Sequence, residues 1–158
     1  MNSPARTRRT RPADADLDLG VLPGLIGYQL RLAQIAIFRD FNAALGALEV
    51  SPGLFGVLVI IEANPGLKQT ELARATHLDR STVVSVIDNL ERRGLVVRRS
   101  AVSDRRSNAL ELTAEGSALL KKLRRLVAEH EKRLARQLTA AEQATLVRLL
   151  QKILPEHR

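Results

Sequence analysis

The sequence predicts a mainly α-helical protein with one small β-hairpin, its elements running in the order ααααββαα. Three observations carry that prediction. Hydrophobic residues make up 45% of the chain but aromatics only 3%, so the apolar material is Leu, Val, Ile and Ala, which suits helix packed on helix. Apolar residues recur at helical spacing in stretches bounded by capping and stop residues. Past the middle, two short runs rich in β-formers flank a charged loop.

With 158 residues the chain is long enough for one domain that buries about 70% of its unfolded surface. Residues 1–16 hold Arg6, Arg8, Arg9 and Arg11 without apolar periodicity and read as a disordered basic arm. Order is expected from Val21-Leu22-Pro23 onward. Leu25, Leu32, Ile35, Phe38, Phe41 and Leu45 set a first long helix over 25–45, within an N-terminal segment, 17–50.

The segment 51–113 reads as a separate functional unit. Ser51 is an N-cap followed by Pro52 at the first helical position, where a missing N–H costs nothing. That helix runs to Ala63 and stops at Asn64-Pro65-Gly66. A short helix over 68–76 and a tight turn at His77-Leu78 come next. Asp79 then caps a helix over 80–93, with Leu78 and Val83 spaced for a hydrophobic staple, and Gly94 ends it. Residues 95–99 and 108–112 are expected as strands joined by the loop 100–107.

The remaining segment, 114–158, is expected as two C-terminal helices. Thr113 caps the first, to about residue 136, with the stripe Leu119, Leu120, Leu123, Leu126, Val127, His130 and Leu134. Thr139 and Glu142 form a capping box for the second, to about 154.

Charge narrows the partner. Lys and Arg number 25 against 17 Asp and Glu, a formal net charge of +8, which favours a polyanion. Cysteine is absent; disulfides, thiolate metal sites and thiol sensing are thereby excluded, and a reducing cytoplasm fits. No apolar run approaches the roughly 18 residues of a membrane span. The basic N-terminus has no apolar stretch behind it and is not read as a secretory signal.

The segment 67–97 carries the chemistry. Two helices that cross closely need a small residue at the crossing, and Ala73 is placed there. At 100° per residue, Val83, Val86, Ile87 and Leu90 share one face of the 80–93 helix. Arg80 opens that helix, and Ser81, Thr82, Ser85, Asn89 and Arg92 fall opposite, short enough to meet base edges or phosphates in a major groove. Asp88 lies on that side too and is expected to turn away or pair with an arginine. His77 sits where a positive φ is often required, which histidine tolerates. In the loop, Asp104, Arg105, Arg106 and Ser107 set two guanidiniums beside a steadying carboxylate, and arginine is the residue that enters a narrow minor groove. Over 68–108, nine basic and five acidic side chains leave a net +4. The pattern is that of a winged helix-turn-helix.

Taken together, Leu78-Asp-Arg-Ser-Thr-Val83, Leu90-Glu-Arg-Arg-Gly-Leu-Val-Val-Arg98, Asp104-Arg-Arg106 and Leu112-Thr-Ala-Glu-Gly116 resemble the MarR family of bacterial and archaeal regulators. The resemblance covers about residues 22–154. It implies a homodimeric, sequence-specific repressor, with DNA binding by 51–113, the 80–93 helix in the major groove, and Arg105 and Arg106 in the minor groove. Dimerisation is implied through the terminal segments 17–50 and 114–158, around 22–41 and 123–154, the first of them also holding the ligand pocket. It also implies release from a roughly palindromic DNA operator by a small anionic, often aromatic effector. Tyr28, Arg31, Phe38, Arg39 and Phe55 are the candidate ligand residues: cations for a carboxylate or phosphate, rings for stacking. The stretch Leu22-Pro-Gly-Leu-Ile-Gly-Tyr-Gln-Leu-Arg-Leu-Ala-Gln34 is similar to the subgroup that senses hydroxycinnamoyl-coenzyme A thioesters.

No cofactor is expected. His77, His130 and His157 show no metal-ligand spacing, and no nucleophile–base set or phosphate-cradling glycine loop points to an enzyme. A non-specific or architectural DNA binder, for which arm and charge would suffice, stays open as the alternative.

Overall fold

The computed structural model describes residues 17–101 and 104–154, and the side chains of these outside 100–108. The basic arm and His157 lie outside the described residues. The chain divides into two units, 1–35 and 36–158, with the boundary inside the first helix.

In the first unit the Asp18 carboxylate accepts from the Gly20 N–H at 2.9 Å, and a 3-10 turn, Leu22–Gly24, carries Pro23 in its first positions. The Gln29 amide donates to the Pro23 carbonyl at 2.7 Å, fixing that turn to the start of α1, Ile26–Leu45.

The second unit is built by its caps. Ser51 Oγ accepts from the Leu54 N–H at 3.2 Å and opens α2, Pro52–Ala63. At the start of α3, Gln69–Thr76, the Glu71 carboxylate reaches back to the Lys68 N–H at 2.8 Å. His77 ends that helix at φ 55°, the left-handed conformation expected of it. Helix α4, Arg80–Arg92, starts on Asp79, and Gly94 closes it at φ +68°. Val83 is buried whereas Leu78, its expected staple partner, lies at the surface. Thr113 caps α5, Ala114–Leu134, and the Thr139–Glu142 capping box opens α6, Ala140–Ile153.

Two expectations need correction. The order ααααββαα omits a strand: β1, Leu67–Lys68, pairs antiparallel with β3, Asp104–Leu112, which also pairs with β2, Val96–Ala101. Two residues show no periodicity, and they become a strand only because β3 offers its free edge. The loop expected over 100–107 is also mostly strand. Ser100 pairs with Asn108, and the next residue, Ala101, pairs with Asp104. The shift leaves Arg105, Arg106 and Ser107 as a bulge in β3, and bulges re-aim the residues they hold.

Helix α2 packs on α3, α5 and β3, while α3 packs on α4 and α4 on β2. Leu58 and Ile61 of α2, Leu72 of α3, Val83, Ile87 and Leu90 of α4, Leu110 of β3, and Leu120 and Leu123 of α5 are all buried in one cluster. Each such side chain contributes about 1.5–3 kcal/mol by leaving water. Ala73 is buried, as the close crossing of α3 requires. Leu134, expected on the apolar stripe of α5, is exposed.

Candidate nucleic-acid interface

Helix α4 divides as its sequence implies. Val83, Ile87 and Leu90 are buried and Val86 half-buried, while Arg80, Ser81, Ser85, Asn89 and Arg92 are exposed and Thr82 half-exposed. Ser81, Thr82, Ser85 and Asn89 line one shallow cleft, together with Val86 and Leu54 of α2. Ser85 and Arg92 continue into a neighbouring polar depression with Asp88 and Glu91. The expected reading residues are thus contiguous, apart from Arg80, which lines a third depression with Thr70 and Arg74 of α3.

The hydroxyls are not idle at the start of this helix. Asp79 Oδ1 accepts from the Thr82 N–H at 2.8 Å and from Ser81 Oγ at 2.5 Å, and Oδ2 accepts from Thr82 Oγ1 at 2.6 Å. Hydrogen bonds from Ser81 and then Thr82 hold the Asp79 carboxyl well below the usual carboxylate range. Ser85 Oγ donates to the Ser81 carbonyl at 3.1 Å. Ser81 and Thr82, expected to meet bases or phosphates, have their protons engaged by their own cap.

Asp88 is paired as expected, and its partner is Arg98 of β2 at 2.6 Å. The same guanidinium bonds Glu91, and Glu91 also accepts from the Arg98 N–H at 3.0 Å. The Gln69 amide oxygen, in the orientation that satisfies it, accepts from Arg98 Nε at 2.7 Å and Nη2 at 2.9 Å. One side chain therefore ties α4, the hairpin and α3 together, and pairs two carboxylates beside the exposed polar face of α4. Arg93 does similar work behind the helix, donating to the Glu49 and Leu48 carbonyls at 2.9 and 3.0 Å. Sequence spacing gives no signal for Arg98, because its partners lie seven to 29 residues away; nor does it single out Leu54, which looks like core.

The backbone of Asp104, Arg105, Arg106 and Ser107 belongs to β3, and their side chains lie outside the described residues. The base of the hairpin is firmly fixed. Thr113 Oγ1 donates to the Gly94 carbonyl at 2.6 Å, the Thr113 N–H to the Leu95 carbonyl at 3.1 Å, and the Gly116 N–H to Thr113 Oγ1 at 2.9 Å. Arg99 pairs with Glu111 across β2 and β3 at 2.6 Å.

Of the candidate ligand residues, Tyr28 is half-buried and Arg31 exposed in the first unit; in the second, Phe38 and Arg39 are exposed and Phe55 half-buried. Outside the reading surface, His130 of α5 is buried, with Nδ1 donating to Asp40 Oδ2 at 2.5 Å and its ring edge-on to Phe41 at 5.5 Å. Arg133 donates to the same carboxylate at 3.0 Å. Arg133 first, and His130 next, lower the Asp40 pKa. Among the described residues no three His, Cys, Asp or Glu side chains converge as a metal site would require, and no single helix is long and apolar enough to cross a membrane.

The family model for MarR matches residues 45–107. A Thauera aromatica protein assigned to transcriptional regulation of the hcr operon is 40% identical over 152 residues, covering 94% of this chain and 92% of its own. Among solved structures, the transcriptional repressor CouR bound to a 23-mer DNA duplex superposes with a TM-score of 0.84 at 40% identity, covering 88% of this chain and 99% of that one. CouR bound to p-coumaroyl-CoA superposes with a TM-score of 0.81 at 37% identity, over 89% and 99% of the two chains. With identity sustained along nearly the whole of both proteins, the chain belongs to the MarR family of transcriptional regulators.

Proposed function

We propose that this protein is a cytoplasmic, homodimeric repressor that holds a roughly palindromic operator and is released by the coenzyme A thioester of a hydroxycinnamic acid. Helix α4 enters the major groove with Ser81, Thr82, Ser85, Asn89 and Arg92 toward the bases and Arg80 toward the backbone. Asp104, Arg105, Arg106 and Ser107 form the wing at the minor groove. The segments 17–50 and 114–158 carry dimerisation, and 51–113 carries DNA. The observation that supports this most strongly is the α4 face: a contiguous polar cleft on a capped helix, with its stray carboxylates tied back by Arg98. The basic net charge supplies the sequence-independent part of the affinity.

Dimerisation is supported by α6, which buries none of its 14 residues in the single chain yet exposes Leu146, Val147, Leu149 and Ile153. Such a face is normally covered. Arg31 and Arg39 are offered as partners for the thioester's phosphates, and Tyr28, Phe38 and Phe55 for its aromatic ring. CouR, a relative of known structure, was solved bound to p-coumaroyl-CoA, and this chain's cationic and aromatic set suits the same chemistry.

The test is fluorescence anisotropy on duplexes from the gene's own upstream region, titrated with p-coumaroyl-CoA, free coenzyme A and p-coumarate. Saturable binding reversed by the thioester alone is expected. Binding untouched by all three would refute the effector, and equal affinity for random duplex would favour the architectural alternative.

A further inference from the structure

The protons of Ser81 and Thr82 have a consequence for which base pair this face can read. A hydroxyl has one hydrogen. Ser81 Oγ gives its hydrogen to Asp79 Oδ1 at 2.5 Å, and Thr82 Oγ1 gives its hydrogen to Oδ2 at 2.6 Å. What remains on both oxygens is lone pairs. They accept and do not donate, so they bond neither a phosphate oxygen nor guanine O6, guanine N7 or thymine O4. The only major-groove donors are the amino groups of adenine and cytosine. The depressed pKa of Asp79 keeps the carboxylate ionised, and the arrangement therefore holds throughout the neutral range.

The same cleft has an apolar floor. Leu54 of α2 and Val86 of α4, both half-buried, line it together with the hydroxyls and Asn89. At about 330 Å³ it is an open depression. Apolar side chains in a major-groove reader contact the thymine C5-methyl, and asparagine bonds adenine N6 and N7 in bidentate fashion. An adenine amino group and a thymine methyl are the two features that a single A·T pair presents together, and G·C presents no methyl.

We propose that this cleft is an A·T reader in which Asp79 acts as a positioning residue: its carboxylate fixes Ser81 and Thr82 as acceptors for an adenine amino group, while Leu54 and Val86 receive the thymine methyl of the same pair. The inference rests on α4 being the helix that enters the major groove. It assigns a specificity role to Asp79 and Leu54, neither of which need touch a phosphate.

The full-length protein is first used to select its preferred duplex from a randomised library. Each thymine is then replaced by uracil, which removes only the methyl, and each adenine by purine, which removes only the amino group. At one pair per half-site, uracil should weaken binding about three- to tenfold, as loss of one buried methyl implies, and purine should weaken it at the same pair. Asp79→Ser retains an N-cap side chain but cannot accept from both hydroxyls; it should reduce the preference for A·T over G·C at that pair at least about fivefold while the protein, checked by its thermal midpoint, stays fully folded at the assay temperature. Leu54→Ala should make thymine and uracil equivalent there. A selected sequence indifferent to uracil and purine at every position would overturn the reader while leaving sequence-specific binding intact. Failure to select any sequence would overturn the reading beneath it as well.

Discussion

At the scale of single residues, the protein spends its charged groups on holding a surface in shape. Arg98 is the plainest case, since Asp88, Glu91 and Gln69 converge on its guanidinium. Arg98→Met keeps the aliphatic stem and removes the fork, leaving two carboxylates unpaired on the face proposed to approach phosphate. Hydrogen bonds to charged groups contribute about 1.5–3 kcal/mol each when shielded, but Asp88 and Glu91 remain in contact with water, which screens each pair to about 1 kcal/mol or less. The variant should therefore lose roughly 1–3 kcal/mol of stability in all and bind every duplex at least about tenfold more weakly. Denaturant unfolding and anisotropy check the two effects; unchanged DNA affinity would show that the carboxylates never face DNA. Asp40 permits a pH prediction. Its folded pKa lies below the ordinary 3.8, so its contribution is complete above the unfolded value and is lost as pH falls through the lowered folded one. Asp79 and Glu142 are lowered in the same direction. The thermal midpoint should therefore drop on acidification below about pH 4, less steeply in Asp40→Asn; parallel curves would remove Asp40 from the account. At this scale the sequence was partly legible. The left-handed turn at His77 followed from histidine's tolerance, and a pairing for Asp88 followed from its misplaced charge. The identity of Arg98 did not, because only the folded hairpin brings β2 against α4.

Among the elements, helix starts were readable because each is a local event: Ser51, Asp79, Thr113 and Thr139 all cap the helices they precede. Strand β1 was not, since its partners in β3 lie some 40 positions away, and neither was the extent of the hairpin, where a register shift extends the pairing into a stretch of charged residues. The junction of the hairpin with α5 shows a constraint that sequence alone marks only as a glycine. A Cβ on Gly116 would lie 2.0 Å from the Leu95 carbonyl oxygen and 2.9 Å from its carbon. The neighbour is backbone at the root of β2 and cannot swing aside. Gly116→Ala should cost about 2–4 kcal/mol, in the range of overpacking or lost backbone bonding, and disturb the hairpin rather than α6. Chemical denaturation with amide exchange over β2 and β3 tests this; a midpoint within error of the parent would mean that α5 is free to shift. The wing prediction belongs here too. If the bulge of Arg105, Arg106 and Ser107 aims Arg106 at the operator, Arg106→Ala should weaken binding and reduce the salt slope by about one when the contact is to phosphate.

For the whole molecule, the apolar residues left at the surface are the guide. Leu146, Val147, Leu149 and Ile153 of α6 have the spacing of a helix face, yet they find no cover in one chain. Helical periodicity is identical for a core facing inward and an interface facing a second copy, so it could not tell the two apart for α6. The same limit applies to the effector, whose candidate residues are ordinary arginines and aromatic rings until a ligand orders them. The central claim is a dimeric repressor whose α4 face reads sequence and whose DNA affinity falls when a hydroxycinnamoyl-coenzyme A thioester binds. The most direct measurement is the ratio of affinities for the selected operator and a random duplex at physiological salt, with and without saturating p-coumaroyl-CoA. The account predicts a ratio of at least about 10³ that collapses toward one with the thioester. A ratio near one in its absence, or a high ratio the thioester leaves unchanged, would contradict it.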